Sequence, residues 1–368
     1  MVLVENLLKV LKKSKINFYT GVPDSILKDF SSKIESLSKK KHVIATSEGA
    51  AISLGIGYYL STKKLPCIYL QNSGLGNAIN PLISIASKEV YSIPLLLLIG
   101  WRGSPKKADE PQHKAKGKIT KALLNLLKIK FCILRQEKDL IKVKKLINGA
   151  TKNKNIVACL IEKETLKNNY NKINKKFSKS SIYRYDFIRE FIKNVPAKCK
   201  IISTTGYTSR ELMQLRKENK KNRGKDFYMV GGMGHSASVA SGYALNSNKE
   251  VFCLDGDGSV LMHLGAMRTI GFLKNKNYKH VILNNNSHES VGGQPTNADG
   301  INFKKLIYSV GYKNYFKINS KNNIKITIKK FINSKGPSLL EVKIVNGSLK
   351  NLLRPKNLLS IKEKFMTN

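Results

Sequence analysis

Membrane-length apolar stretches are missing from this sequence. The longest uninterrupted apolar run, about Ile93 to Ile99, falls far short of the ~18–20 residues a spanning helix needs. The start, MVLVENLLKVLKK, lacks the basic opening, apolar block and small-residue cleavage site of a secretory leader. Cysteine is sparse: Cys67, Cys132, Cys159, Cys199 and Cys253 form an odd, widely spread set with no CxxC. Four of them sit in apolar, strand-like runs, so buried thiols in a reducing cytoplasm are expected. Acids are scarce too, with 24 Asp and Glu against 66 Lys and Arg, a formal net charge of +42. The charge invites a nucleic-acid reading, but arginine is also short. Only nine of the 66 basic residues are Arg, the residue preferred for base edges and bidentate phosphate contacts. The lysines are spread through the chain among Asn and Ile rather than gathered in a patch, as solvated faces are. Neither a nucleic acid nor a membrane is therefore the expected partner, and a general positive potential favours small anions.

What is present is ordinary globular material. Hydrophobic residues make up 41% of 368, and that length favours two domains at ~100–200 residues each. Strand-like runs at 17–20, 42–46, 66–71, 94–99, 130–134 and 156–161 alternate with helical patterns such as Leu3, Leu7, Leu8, Leu11 and Leu123, Leu124, Leu127. A polar Lys/Asn-rich stretch, Lys163 to Ser181, reads as a connector. Strand-like runs then recur near 199–204, 227–230, 250–255, 280–285, 313–317 and 339–344. Such alternation predicts an α/β fold with two doubly wound parallel-sheet domains. The expected limits are 1–165, a linker at 166–182, and 183–368, with no room for a central third domain. Ligands of such sheets bind at the carboxyl ends of strands.

Three strand-end loops carry chemistry. The run VFCLD ends in Gly256-Asp257-Gly258-Ser259, and about 27 residues later HVIL ends in Asn284-Asn285-Asn286. A carboxylate, an amide oxygen and a carbonyl are hard ligands suited to Mg²⁺ holding a diphosphate, and glycines let backbone N–H groups approach phosphate closely. The plainer alternative is two ordinary turns. In HVIATSEGAA, Glu48 follows a strand and opens a small-residue helix; on its own it reads sooner as a helix-start acid behind a Thr46 or Ser47 cap. The third loop, Gly231-Gly232-Met233-Gly234-His235-Ser236-Ala237, also satisfies a dinucleotide fingerprint, which keeps a nicotinamide oxidoreductase open as a competing class. It fits poorly, because that fingerprint usually opens a domain and here lies inside the second one.

GDG paired with NN at this spacing resembles the diphosphate-binding motif of thiamine diphosphate enzymes. The resemblance implies that Asp257 and Asn285 ligate Mg²⁺ by side chain and Ser287 by its carbonyl, with Gly256, Gly258 and Ser259 around the diphosphate. Asn286 stands where many relatives carry Gly. It also implies a glutamate beside the aminopyrimidine N1′, the role of Glu48, and an apolar wedge under the bent cofactor, the role of Met233 next to Gly232.

Longer segments narrow the resemblance: GVPDS (21–25), SEGAA (47–51), QNSGLGNAINPL (71–82), IPLLLLIGWRG (93–103), DEPQH (109–113), TTGYTSREL (204–212), GGMGH (231–235) and NNNSHESVGGQPT (284–296). They are similar to the two-domain phosphonopyruvate decarboxylases of phosphonate biosynthesis, with sulfopyruvate decarboxylases as near cousins. This implies a cytoplasmic carbon–carbon lyase that turns 3-phosphonopyruvate into phosphonoacetaldehyde and CO₂, with sulfopyruvate or another small anionic 2-oxo acid as the alternative substrate. It also implies a homodimer or homotetramer in which Glu48 of one subunit meets Asp257 of another. On the same footing Asp24 and Ser25 line the mouth of the site, although Asp24 is equally a helix cap after a Pro turn. Gln71 and Asn72 donate to substrate. His113, in a loop with Asp109 and Glu110, or His288 moves a proton, and Arg102 with some lysines holds the phosphonate. His42, His263 and His280 read as structural. A basic anion- or nucleic-acid-binding protein remains the non-enzymatic alternative.

Overall fold

The structure is a computed structural model describing residues 1–105, 107–168, 181–218 and 224–367. The chain divides into two units, Met1–Asn174 with Val291–Gln294, and Lys175–Ser290 with Pro295–Asn368. In chain order the first unit holds β1 (Val2–Leu3), β2 (Tyr19–Gly21), β3 (His42–Ile44), β4 (Cys67–Gln71), β5 (Leu95–Trp101), β6 (Lys130–Leu134), β7 (Ile156–Glu162) and β8 (Leu166–Lys167). The second holds β9 (Lys200–Ser203), β10 (Phe227–Tyr228), β11 (Val251–Gly256), β12 (Tyr278–Asn284), β13 (Asn314–Ile318) and β14 (Ser338–Lys343).

Each unit is built on one six-stranded, fully parallel sheet. The orders are β3-β2-β4-β5-β7-β6 and β10-β9-β11-β12-β14-β13. Counted from its own first strand, each sheet runs 2-1-3-4-6-5, so both units share one topology. The apolar runs are continuous because both faces are covered. In β5, Leu96 and Leu98 join the layer containing Leu7, Leu11 and Phe30, whereas Leu95, Leu97 and Ile99 join Ile52, Ile56 and Leu82. In β11, Phe252 and Leu254 pack with Phe187 and Phe331, whereas Val251 and Cys253 pack with Ala240 and Ile270.

The twelve strands anticipated from hydrophobic alternation are the twelve strands of the two large sheets. The pattern missed β1 and β8, which pair with each other in parallel; two residues carry no period to read. Leu166 and Lys167 therefore belong to a strand, although they begin the linker expected at 166–182, and residues 169–180 of that linker lie outside the described residues. The first helix, Val4–Lys13, buries Val4, Leu7 and Leu11, and places Glu5 in its first turn and Lys12 and Lys13 in its last, charges that suit the helix dipole. No helix among the described residues is long and apolar enough to cross a membrane.

In an open sheet of this kind the ligand crevice opens where the chain reverses its direction of travel across the sheet. That point lies between β2 and β4 in the first unit and between β9 and β11 in the second. The loops beyond those strand ends are Val22–Ser25 with Asn72, and Thr204 with Asp257.

Candidate active site

In the second unit Asp257 opens the six-residue helix Asp257–Met262 and is 2% exposed. Burial pushes its carboxyl up to about 6, against the Thr296 hydroxyl, the N–H groups of Asp257 and Gly258, and the Lys343 charge. Thr296 Oγ1 donates to Asp257 Oδ2, and Thr296 N donates to the Asn286 carbonyl (3.2 Å). Ser287 bridges Pro295 on the returning strand of the same loop. Thr296 thus fastens the loop after β12 to the carboxylate after β11. Contact is close: a Cβ on Gly258 would lie 2.9 Å from His288 Cε1 and 3.0 Å from Thr296 Cγ2.

Within that loop Asn285 is buried, its Oδ1 accepting from Ser287 N (3.1 Å) and its Nδ2 donating to Glu289 Oε2 (3.3 Å). Asn286 has φ +56°, the left-handed region that Asn enters more easily than other side-chain-bearing residues. The third asparagine therefore supports the turn that a glycine would make. Ser287 Oγ is buried without a hydrogen-bond partner among the described residues. The Ser259 hydroxyl lies 3.0 Å from Thr204 Oγ1 and accepts from Gly234 N (3.0 Å). Rather than standing open, it ties the end of β9 to the glycine turn after β10. In that turn Gly232 and Gly234 have φ +67° and +89°, and a Cβ on Gly234 would strike His263 Cδ2 at 2.4 Å. Met233 is half-buried at its tip.

In the first unit Glu48 is the first residue of the helix Glu48–Thr62, capped by Ser47, whose side chain accepts from Ala50 N (3.4 Å). It is buried, and Asn77 Nδ2 donates to its Oε2 (2.9 Å). Gly74 makes the space, since a Cβ there would lie 2.3 Å from Glu48 Oε1. Asp24 is 1% exposed; its Oδ2 accepts from Ile26 N (3.0 Å) and Leu27 N (3.3 Å), and its Oδ1 has no hydrogen-bond partner among the described residues. Burial raises it to about 6 despite the Arg102 charge and the backbone donors.

Several expected substrate contacts have other duties. Arg102 forks onto Asp109, donates to Ser25 Oγ (3.0 Å), and does not stand free for a phosphonate. Burial works against the Asp109 charge, but that fork and the N–H groups of Glu110 and Gly103 hold its carboxyl well below the usual range. Asn72 donates to Arg102 O (3.0 Å) and Thr120 Oγ1 (2.9 Å) and accepts from Arg102 N (3.1 Å), which anchors the chain after β5. Gln71 donates to Ser73 Oγ. His113 is not in a loop: it lies in the first turn of the helix Pro111–Leu126. His288 is neutral near pH 7, because burial lowers it to about 4. His42 and His280 are structural in the simplest sense, bonded to the hydroxyls of Tyr69 on the same sheet (2.9 Å) and of Tyr312 just before β13 (3.1 Å).

Comparison with known proteins decides the family. Residues 1–123 match the model of the thiamine pyrophosphate enzyme N-terminal TPP binding domain, and residues 204–342 match that of the C-terminal TPP binding domain. The chain is 31% identical over 354 residues to a phosphonopyruvate decarboxylase of Streptomyces viridochromogenes, covering 91% of this chain and 87% of that protein. This chain belongs to the phosphonopyruvate decarboxylase family of thiamine pyrophosphate enzymes. A phosphonopyruvate decarboxylase of Streptomyces hygroscopicus is 30% identical over 372 residues, 97% of this chain and 91% of that protein. The sulfopyruvate decarboxylase of Methanocaldococcus jannaschii has separate alpha and beta subunits. They are 36% identical over 119 residues (32% of this chain, 68% of that subunit) and 42% over 115 (31% and 58%).

Thiamine diphosphate (thiamine pyrophosphate) is thus the cofactor of this family member, and the residues present suit it. Asp257, Asn285 and the Ser287 carbonyl offer the hard oxygens a magnesium ion takes. A carboxylate as buried as Asp257, whose side chain accepts from the neutral Thr296 hydroxyl, is the group a divalent cation relieves. Thr296 and Asn77, which hold Asp257 and Glu48, were missed in the sequence. Thr296 lies in a quoted motif, yet nothing in its spacing says which carboxylate it meets.

Proposed function

We propose that this chain decarboxylates 3-phosphonopyruvate to phosphonoacetaldehyde and CO₂, using thiamine diphosphate and Mg²⁺. The observation that carries the reading is the near end-to-end similarity to the Streptomyces viridochromogenes phosphonopyruvate decarboxylase. The bound cofactor supplies a nucleophilic carbon and a cationic ring that takes up the electron pair left by CO₂. Asp257, Asn285 and the Ser287 carbonyl hold the Mg²⁺, and Gly256 and Gly258 let the backbone approach the diphosphate. Met233 supports the cofactor from the turn at Gly232. Glu48, an acceptor fixed by Asn77, holds the proton at the cofactor's pyrimidine N1′. Asp24, buried and raised to about 6, can carry a proton in the range where such chemistry runs. His288 and His113 are the remaining proton carriers. Ser25 and Gln71 face substrate, with Arg102 and Asn72 shaping the rim.

The finer reading is a cytoplasmic homodimer or homotetramer whose subunits share each site. Sulfopyruvate is the second substrate reading, favoured by the 42% local identity to a sulfopyruvate decarboxylase subunit. The test is CO₂ release from phosphonopyruvate by the purified chain. Turnover should require both cofactors and stop with a chelator, and Glu48→Gln should lower kcat at least ~100-fold while leaving the protein folded. Cofactor-independent release, or full activity in Glu48→Gln, contradicts the reading.

A further inference from the structure

The acid of the segment His288-Glu289-Ser290 has no part in the function described so far, yet three donors converge on it. Arg184, 5% exposed at the start of the helix Arg184–Asn194, donates from Nη2 to Glu289 Oε2. Gly347 N donates to Glu289 Oε1. Asn285 Nδ2 donates to Glu289 Oε2 at 3.3 Å. Arg184 is itself seated, its Nη1 3.5 Å from the fully buried Glu211 and its guanidinium 5.5 Å from the Tyr207 ring centre. Glu211 in turn accepts from Leu349 N (3.1 Å).

We propose that Glu289, braced by Arg184, is a positioning residue for the cation site: it fixes which end of the Asn285 amide is offered to the metal. The two ends of an asparagine amide are nearly the same size, and turned by half a rotation the NH₂ would face the cation. A carboxylate only accepts, so it can pair only with Nδ2. Ser287 N only donates, so it can pair only with Oδ1 (3.1 Å). The two bonds together fix the amide oxygen as the end that can serve a cation, through the lone pair Ser287 N does not use. A glutamine at position 289 cannot reproduce this. It has one oxygen for three donors, so its NH₂ must be turned against one of them. The inference rests on the reading of Asn285 as a magnesium ligand.

The experiment is calorimetric titration of thiamine diphosphate into the full-length protein at a series of Mg²⁺ concentrations, without substrate. Glu289→Gln should raise the Mg²⁺ needed for half-maximal cofactor binding ~10-fold or more, the usual cost of losing a partner behind a metal ligand. The double variant Asn285→Asp with Glu289→Gln exchanges donor and acceptor across the same bond. Measured without Mg²⁺, it should melt ~2 °C or more above Asn285→Asp alone, where two carboxylates face each other. This comparison holds even if Glu289→Gln alone folds poorly. An unchanged Mg²⁺ requirement in folded Glu289→Gln, or no recovery in the double variant, overturns the inference. Asp257→Ala separates the two levels. Persisting Mg²⁺ dependence there overturns the cation site and this inference together, whereas its loss there with normal behaviour of the position 289 variants overturns the inference alone.

Discussion

Asp24 and Asp257 are both almost completely buried, and burial raises each to about 6. A carboxyl whose folded value lies above its unfolded one favours the fold below the unfolded pKa of about 4, and that contribution is lost as pH rises through about 6. At pH 8 each charge therefore costs about 1–3 kcal/mol of stability, a cost that function would justify. Asp24→Asn should raise the melting temperature at pH 8 and do so by about half as much at pH 5, midway between the two pKa values, while slowing turnover. Melting curves at the two pH values check this, and equal destabilisation at both would show that the Asp24 charge costs nothing. His288, lowered to about 4, has the opposite sign and loses stability as pH falls below about 6.5 in wild type and variant alike, so it cancels in the comparison. At this scale the sequence made candidates legible where a polar residue stands just past a strand end. Glu48, Asp257 and Asn285 stood out for that reason. Asn77, Thr296 and Glu289 did not, since each acts on a partner that only folding brings near. The reach of Arg102 was misjudged for the same reason: its partners Asp109 and Ser25 come from two other segments.

The elements were easier to read than their side-chain contacts. Twelve strands stood out as apolar runs bounded by turn residues, the central ones buried on both faces, whereas β1 and β8 are too short to have a pattern. His113 was expected in a loop because the proline in DEPQH punctuates the chain. Pro111 instead occupies the first helical position, where its missing N–H has no carbonyl to lose and its fixed φ suits the helix. Helix starts also set the tolerances of the site. Gly74 ends the short turn Asn72–Gly74 after β4 and lies against Glu48, which begins a different helix. Gly74→Ala would bring a Cβ within 2.3 Å of Glu48 Oε1 and 2.4 Å of its Cγ, forcing the glutamate off the Asn77 bond. The expected result is a kcat loss approaching that of Glu48→Gln with about 1–3 kcal/mol of overpacking strain. Steady-state kinetics beside a denaturant melt measure both, and wild-type turnover in this variant would mean that the placement of Glu48 does not matter.

Across the whole molecule, one topology is used twice, and each copy places its chemical groups beyond the ends of the strands at, and next to, the point where the chain reverses direction. The doubling was legible in the sequence because both halves carry six strand-like runs in the same alternation. The charge of +42 belongs to this scale as well. Spread as lysine rather than gathered as arginine, it suits a field that draws in small anions rather than a surface that reads bases. Arg102 is held by Asp109, yet the charge of the substrate alone sets how selective such a site must be. A recess built for a dianion leaves its donors unpaired when the methyl group of pyruvate enters instead. The most direct measurement is a coupled decarboxylation assay of phosphonopyruvate, sulfopyruvate and pyruvate at fixed ionic strength, with thiamine diphosphate and Mg²⁺ present. The expected kcat/KM for phosphonopyruvate is at least about 100-fold above that for pyruvate, roughly 2.7 kcal/mol of differential transition-state binding, with sulfopyruvate between them. Equal efficiency with pyruvate, or a clear preference for sulfopyruvate, would contradict it.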